Sequence, residues 1–442
     1  MLTTTTVALT SWALLVALIA PGYVHPDEFF QSVEIAGRDL LGHGGLAWEW
    51  GGPSPDPSWR SYVPCRSISF AVVSAHLPIY FFSKNPLAAP RVWVVLVSIA
   101  NDAFVLGRVW KECGVDVDAA RLSYRLSWTS WILLARPLSN AYEAMALPLA
   151  FLIRHRPVAF GALAALVTFW RFSFLFFAFP LAIRQPPVSA LSFALTAGAL
   201  VALDSWYFGA LAITPLNNLL FNSSSERLRV FGLHPRPTHL FNALFLFGPS
   251  AVNLFKRSGH PNLDLLRACA LSGFVALSAS RHQEPRFLLA MAPAVFATPL
   301  PVTNYRPAAA AAAAANIGIG AFYAFVHQAA VTRVLLAPHP PKTCLLFFGC
   351  YLAPRALNPN LQIFDYQQPD IDAFLDDAPC LHNNNTRLAV AMSFPRRPLR
   401  AALRRRGLDM TRIAIFAPHF SAEYPPRSLG HLRLGLFDLS AY

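Results

Sequence analysis

Apolar runs recur along the whole chain, at residues 7–20, 68–82, 92–109, 127–134, 144–153, 158–183, 188–213, 240–255, 265–279, 287–300, 308–336 and 343–352. They constrain the fold more than any motif does. Inside lipid every backbone N–H and C=O must be satisfied within the protein, which a helix achieves by itself. Several runs are shorter than the roughly 20 residues a helix needs to cross a bilayer, and many contain Pro, Arg or Asp. Broken or re-entrant segments that line a cavity are therefore expected among them. Composition agrees: 55% of the 442 residues are hydrophobic and only 13% are charged, where soluble domains carry roughly a quarter. The chain reads as an all-α polytopic membrane protein with about 10–12 transmembrane helices. The first run reads as a retained span, because no basic residues precede it and Pro21-Gly22 is a poor small-x-small cleavage site.

Residues 1–355 are expected to form the membrane domain and residues 356–442, richer in Asp, Asn, Pro and Arg, a polar region outside the bilayer. The run Ala308–Ala315 is low-complexity filler with high helix propensity. A net charge of +13 does not imply nucleic acid, since the Arg residues are scattered between apolar runs, where lipid phosphates and the positive-inside rule account for them. Only residues 395–407, PRRPLRAALRRRG, cluster basic side chains, and they read as a membrane-surface stretch. The six cysteines form no CxxC pair and no zinc spacing; most are expected as buried thiols. Two sequons, at Asn222 and Asn384, matter only in a secretory lumen. Membrane lipids are the expected surroundings, and the sequence names no protein partner.

Three polar constellations interrupt this pattern. In residues 24–50 a His-Pro precedes the adjacent acids Asp27 and Glu28, beside the first span. Carboxylates there are costly unless they face water or a partner. Gln31, Glu34 and Arg38 follow at helical spacing from Asp27, while Phe29, Phe30, Val33 and Ile35 are placed to lie on the membrane surface. The second constellation, residues 278–293, carries His282, Gln283, Glu284 and Arg286. The third, residues 233–242, carries His234, Arg236 and His239 without the acidic ligands of a metal site. Arg offers a planar fork suited to phosphate, and His adds a donor. Smaller polar inserts lie at Arg136–Asn140 with Glu143, at Arg171 and at Asp204. No Gly-rich phosphate loop, nucleophile elbow, HExxH or DxD is present.

The segments HPDEFFQSVEIAGRDLLG, WEW at Trp48–Trp50 and RSYVPC from Arg60, with RPLSNAYEA and RHQEPRFLLAMAP, resemble the signature of glycosyltransferase family 22. TPLNNLLFN and GLHPRPTHLFNALFLFGP resemble the branch of that family that adds the fourth mannose of GPI (glycosylphosphatidylinositol) anchors. The likeness runs from about residue 20 to 300; Cys65 and Ala290 stand where the pattern more often has Pro. The resemblance implies the GT-C fold with a lumenal catalytic first loop, about residues 21–67, and a multi-pass place in the endoplasmic reticulum membrane. It implies transfer of an α1,2-linked mannose from dolichyl-phosphate mannose to a trimannosyl GPI glycolipid.

In such an inverting transfer Asp27 is the expected base, with Glu28 orienting it or the acceptor. His282 and Arg286, four apart, are expected to grip the donor phosphate from one helical face with Glu284 pointing elsewhere; Arg236 and His234 stand in reserve. His25, Gln31, Glu34, Trp48, Glu49, Arg60, Asn140, Glu143, Glu284 and His239 are expected to support the loop or the acceptor. No cofactor and no tightly bound metal are expected, because cationic side chains are at hand for the leaving phosphate. The alternatives are a third-mannose or N-glycan-precursor mannosyltransferase and, from another class, a transporter or lipid scramblase, which inverted repeats would mark.

Overall fold

The computed structural model describes residues 4–52, 63–298, 306–366, 370–378, 380–383, 385–421 and 424–441. The chain divides into two compact units. One comprises Met1–Leu18, Leu46–Ser83 and Ala88–Gly318, the other Ile19–Gly45, Lys84–Leu87 and Ile319–Tyr442. Among the described residues two helices are long and apolar enough to cross a membrane, Ala88–Glu112 and Pro187–Phe208. Five shorter apolar helices accompany them, Leu9–Ile19, Ile68–Phe81, Pro157–Trp170, Pro285–Val295 and Ala310–Phe325.

The first unit is helical. On Pro187–Phe208 the side chains of Leu191, Leu195 and Trp206 are exposed, as befits a helix solvated by lipid. Helix Pro157–Trp170 packs closely on it: a Cβ at Gly161 would stand 2.2 Å from the Ser189 carbonyl oxygen, so only glycine permits this approach. The run 158–183 is not one span. It breaks into Pro157–Trp170 and Phe174–Ala182, with Arg171 extended between them, because the Arg171 side chain turns to a buried carboxylate. Run 127–134 folds as a short helix, Trp128–Trp131, and a 3-10 turn, both buried. Ser139–Leu152 is likewise buried along most of its length, so it is an interior helix.

The second unit holds what the all-α expectation lacked. Strands β1 (Cys344–Phe348), β2 (Gln362–Tyr366), β3 (Thr386–Ala391), β4 (Leu408–Phe416) and β5 (Leu434–Ala441) form one sheet in the order β2-β1-β3-β5-β4. β1 runs parallel to β2 and β3, while β5 is antiparallel to β3 and β4. The expected span 343–352 therefore contains the inner strand β1, flanked by β2 and β3. All five of its residues are buried, and a strand covered on both faces has the hydropathy of a membrane segment.

Helix Arg396–Arg405 lays Leu399, Ala402 and Leu403 into the core beside Leu346, Phe374 and Leu388. Arg405 pairs with Asp372 at 2.9 Å and Arg406 with Asp376 at 2.5 Å. The basic stretch thus uses its apolar side inside the unit, not at a membrane surface. Cys344 and Cys380 form a disulfide, Cα to Cα 6.3 Å; Cys65, Cys113, Cys269 and Cys350 are not disulfide-bonded.

Candidate active site

The acid-bearing loop belongs to the second unit. Helix Asp27–Phe30 starts directly after Pro26. The Asp27 N–H donates to His25 Nδ1 at 3.1 Å, and the Gln31 amide donates to Asp27 Oδ2. His25 and Asp27 keep 25% and 18% of their side chains exposed. Glu28 differs: it is 1% exposed and its Oε2 accepts the Val24 N–H at 3.2 Å. The two adjacent acids are thus divided between an open, oriented carboxylate and one tied into the backbone of the loop.

The helix stops at Gln31 and resumes as Val33–Leu41, which breaks the expected continuous polar face. Gln31 does reach Asp27, but Arg38 pairs with its neighbour Asp39 at 3.1 Å and Glu34 turns inward. Phe29, Phe30, Val33 and Ile35 are buried in the protein, not spread on a membrane. Glu34, 0% exposed, accepts the Ala356 N–H at 2.9 Å through Oε1 and the Gly45 N–H through Oε2. Burial pushes its carboxyl up to about 7, against the pull of those two backbone donors and of Arg355. Tyr23, at the start of the loop, donates its hydroxyl to the Leu352 carbonyl at 3.0 Å, and its own carbonyl lies 2.8 Å from His327 Nδ1.

The first unit holds the other candidates. Glu284 stands between His282 and Arg286, 2.8 Å from His282 Nε2 and 2.5 Å from Arg286 Nε. The expected pairing on a helical face with Glu284 turned away is wrong. Pro285 disfavours helix for the residue before it, Glu284 is extended, and the 3-10 helix Pro285–Met291 begins only afterwards. The reserve loop is laced to the same turn. His234 Nδ1 accepts the Gln283 N–H at 3.2 Å, the His239 N–H reaches Gln283 Oε1 at 2.8 Å, and Arg236 donates to the Ala279 carbonyl. Arg236 is exposed and His239 buried.

A buried polar network continues from Arg286, whose Nη1 lies 3.4 Å from Asn140 Oδ1. Next to Asn140, Ser139 Oγ receives Arg66 at 3.4 Å and Arg171 at 3.5 Å. Arg66 pairs with Glu49 at 2.6 Å and Arg171 with Glu143 at 3.1 Å, Glu143 also accepting the Ser173 hydroxyl at 2.6 Å. The guanidinium groups of Arg171 and Arg286 lie 4.9 and 5.2 Å from the centre of the Phe287 ring. Trp48 stacks on Phe221 with ring centres 4.3 Å apart. Arg60 and Asn384 lie outside the described residues. Among those described, no group of three or more His, Cys, Asp or Glu is placed to hold a metal ion.

Arg66 and Arg171 were absent from the expected site. For Arg171 the available signal was an arginine isolated among apolar residues, which in a membrane chain marks a buried polar partner or a ligand; Arg66, between Cys65 and Ser67, carries no such mark. Three guanidiniums, of Arg66, Arg171 and Arg286, each paired with a carboxylate, can hold and orient a phosphate without leaving a bare charge in a low-dielectric interior when it departs.

Residues 4–337 match the sequence pattern of the Alg9-like mannosyltransferase family. A protein of Eremothecium gossypii named GPI mannosyltransferase 4 is 32% identical over 323 residues, 64% of this chain and 62% of that protein. One from Candida glabrata, of the same name, is 28% identical over 66% of this chain and 64% of its own length. The human GPI alpha-1,2-mannosyltransferase 4 is 26% identical over 76% of this chain and 72% of its own. The chain thus spans less than two thirds of the first two relatives. In fold it is similar to ArnT from Cupriavidus metallidurans bound to undecaprenyl phosphate, with a TM-score of 0.56 and 12% identity over 98% of this chain and 97% of that one. ArnT is a GT-C glycosyltransferase, so this likeness bears out the helical GT-C expectation, amended by the sheet. A family pattern matched over 334 of 442 residues decides membership: the chain belongs to the Alg9-like mannosyltransferase family.

Proposed function

We propose that the chain is a multi-pass mannosyltransferase of the endoplasmic reticulum membrane that adds an α1,2-linked fourth mannose to the trimannosyl GPI precursor, taking it from dolichyl-phosphate mannose. The observation that carries the reading is the oriented carboxylate of Asp27, set in a His-Pro-Asp-Glu loop of a chain whose relatives are named GPI mannosyltransferase 4. The donor is β-linked and the product α-linked, so a single in-line displacement inverts the anomeric carbon. The acceptor hydroxyl oxygen forms the new bond, its proton passes to Asp27, and the bond to the phosphate oxygen breaks with its electron pair leaving on dolichyl phosphate. Asp27 is favoured over Glu28 because its side chain is open and Glu28 is tied to Val24.

A phosphate leaves as an anion, so no second acid is required to protonate it, unlike the leaving group of a glycosidase. Arg286 and His282, with Glu284 holding both, are assigned to the donor phosphate; Arg236 and His234 brace the same turn. The reading includes transfer without a tightly bound metal. Exhaustive EDTA treatment should leave the rate unchanged, and loss restored by Mn²⁺ or Mg²⁺ would reject that part. The main test is expression in cells lacking the fourth-mannose step, with analysis of their GPI lipids. Appearance of a tetramannosyl species supports the function; rescue of a third-mannose or N-glycan defect instead replaces it.

A further inference from the structure

The order β2-β1-β3 makes the carboxyl ends of β1 and β3 a topological switch point: the chain leaves β1 toward one side of the sheet and β3 toward the other. Open sheets with parallel strands present ligands in the crevice at this place. Here the floor of the crevice is filled. Gly349 follows β1 with φ +71°, and a Cβ on it would meet the Tyr424 ring at 2.8 Å, so the glycine lets that ring close over the end of the strand. The chain is thereby turned outward at Cys350 and Tyr351. Tyr351 is half-buried, with its N–H donated to Gln328 Oε1 at 3.3 Å. Its ring meets Tyr23 edge-on, centres 5.5 Å apart, and lies 6.3 Å from the His25 ring. His25 in turn accepts the backbone N–H of Asp27. The switch point of the sheet and the acid loop thus adjoin inside one unit, with a partly open aromatic ring between them.

We propose that Tyr351 is a specificity-determining residue that stacks on the terminal mannose of the acceptor. The proposal rests on the mannosyltransferase reading above and deepens its acceptor side. A sugar ring offers one apolar face and a rim of hydroxyls. It is recognised by an aromatic ring that covers the face while nearby polar groups take the hydroxyls. A tyrosine whose N–H is held by Gln328 and whose ring is braced edge-on by Tyr23 and His327 gives that ring at little ordering cost, and the adjoining carboxylate of Asp27 is the group that must meet the attacking hydroxyl. The sheet beyond Thr343 is then part of the site, not an appendage to it.

The test uses the full-length chain in lipid nanodiscs, with dolichyl-phosphate mannose and trimannosyl GPI as substrates. Tyr351→Leu should raise the acceptor KM about tenfold, the effect of losing roughly 1.4 kcal/mol of stacking, and leave the donor KM and the pH profile of kcat unchanged. Tyr351→Phe should behave as wild type. An unchanged acceptor KM, or a fall in kcat alone, overturns the proposal and makes Tyr351 a packing residue of the loop. A second measurement needs no variant: Cys350, a half-buried thiol outside the disulfide and beside Tyr351, should react more slowly with maleimide when the trimannosyl glycolipid is present, read at Cys350 by mass spectrometry. Unslowed reaction at saturating glycolipid also overturns it. A wild-type chain that transfers no mannose rejects the function itself, whereas transfer with an unaltered Tyr351→Leu acceptor KM rejects only this role.

Discussion

Replacing Glu34 by glutamine should change the way stability depends on pH. In the folded protein its carboxyl is raised from 4.5 to about 7, chiefly by burial. The folded state therefore binds more protons than the unfolded one between these values, and stability is fully present below about 4.5 and declines as pH rises through about 7. At about 1.4 kcal/mol per pH unit, the decline amounts to about 3 kcal/mol. Glutamine carries no charge and loses none of this. It has one oxygen for two backbone donors, Ala356 and Gly45, so its amide nitrogen faces an N–H, at a cost of about 1–3 kcal/mol that does not vary with pH. Glu34→Gln should be the less stable protein at pH 5, and the gap should close or reverse by pH 8. The assay is thermal unfolding of both proteins in the same detergent from pH 5 to 8. At about 2–4 °C per kcal/mol for a unit of this size, the difference in Tm should move by on the order of 5–10 °C. Parallel curves across that range would refute the reasoning and mean that Glu34 is held as a carboxylate throughout.

Asp27→Asn keeps the Gln31 neighbour but removes the proton acceptor, so transfer by the purified protein should fall roughly a hundredfold to ten-thousandfold; a near wild-type rate removes Asp27 from the base role. Arg286→Ala should weaken binding of dolichyl-phosphate mannose roughly 10–100-fold, and Arg286→Lys should restore only part, because one ammonium cannot face both Glu284 and Asn140 as the guanidinium does. Equal donor affinity in all three proteins would turn attention to Arg171. Replacing Cys344 and Cys380 together by Ser opens a link between residues 36 apart in sequence and should destabilise the sheet unit by about 3–4 kcal/mol; an unchanged melting transition would show that the packed core alone suffices.

Apolar runs located the helices well wherever the helix faces lipid, as at Pro187–Phe208. They failed at Cys344–Phe348, since hydropathy over a short run does not distinguish a membrane segment from a buried parallel strand. The division of run 158–183 was partly legible: Arg171 marked the break, but its partner Glu143 could be found only once the helices were packed. Local geometry was readable where it depended on neighbours in sequence, as in the Gln31–Asp27 contact. It was misread at Glu284, where Pro285 overrode the assumed helical spacing. Contacts over long separations, such as Glu34 with Ala356 and Cys344 with Cys380, left no local trace.

The anchoring of Glu34 to Ala356 and of Tyr23 to Leu352 spans 322 and 329 residues of chain. A ribosome adding about 5–20 residues per second needs roughly 16–65 s to cover such a distance. For that interval the newborn acid loop carries a carboxylate whose second backbone donor does not yet exist. Contacts this distant in sequence also form late, after the loop-closure entropy has been met. The acid loop is thus synthesised well before the residues that anchor it and is among the last parts to settle. A chain interrupted before Leu352 would carry Asp27 in place yet lack the clamps that hold its loop, which ties the onset of activity to the arrival of the sheet.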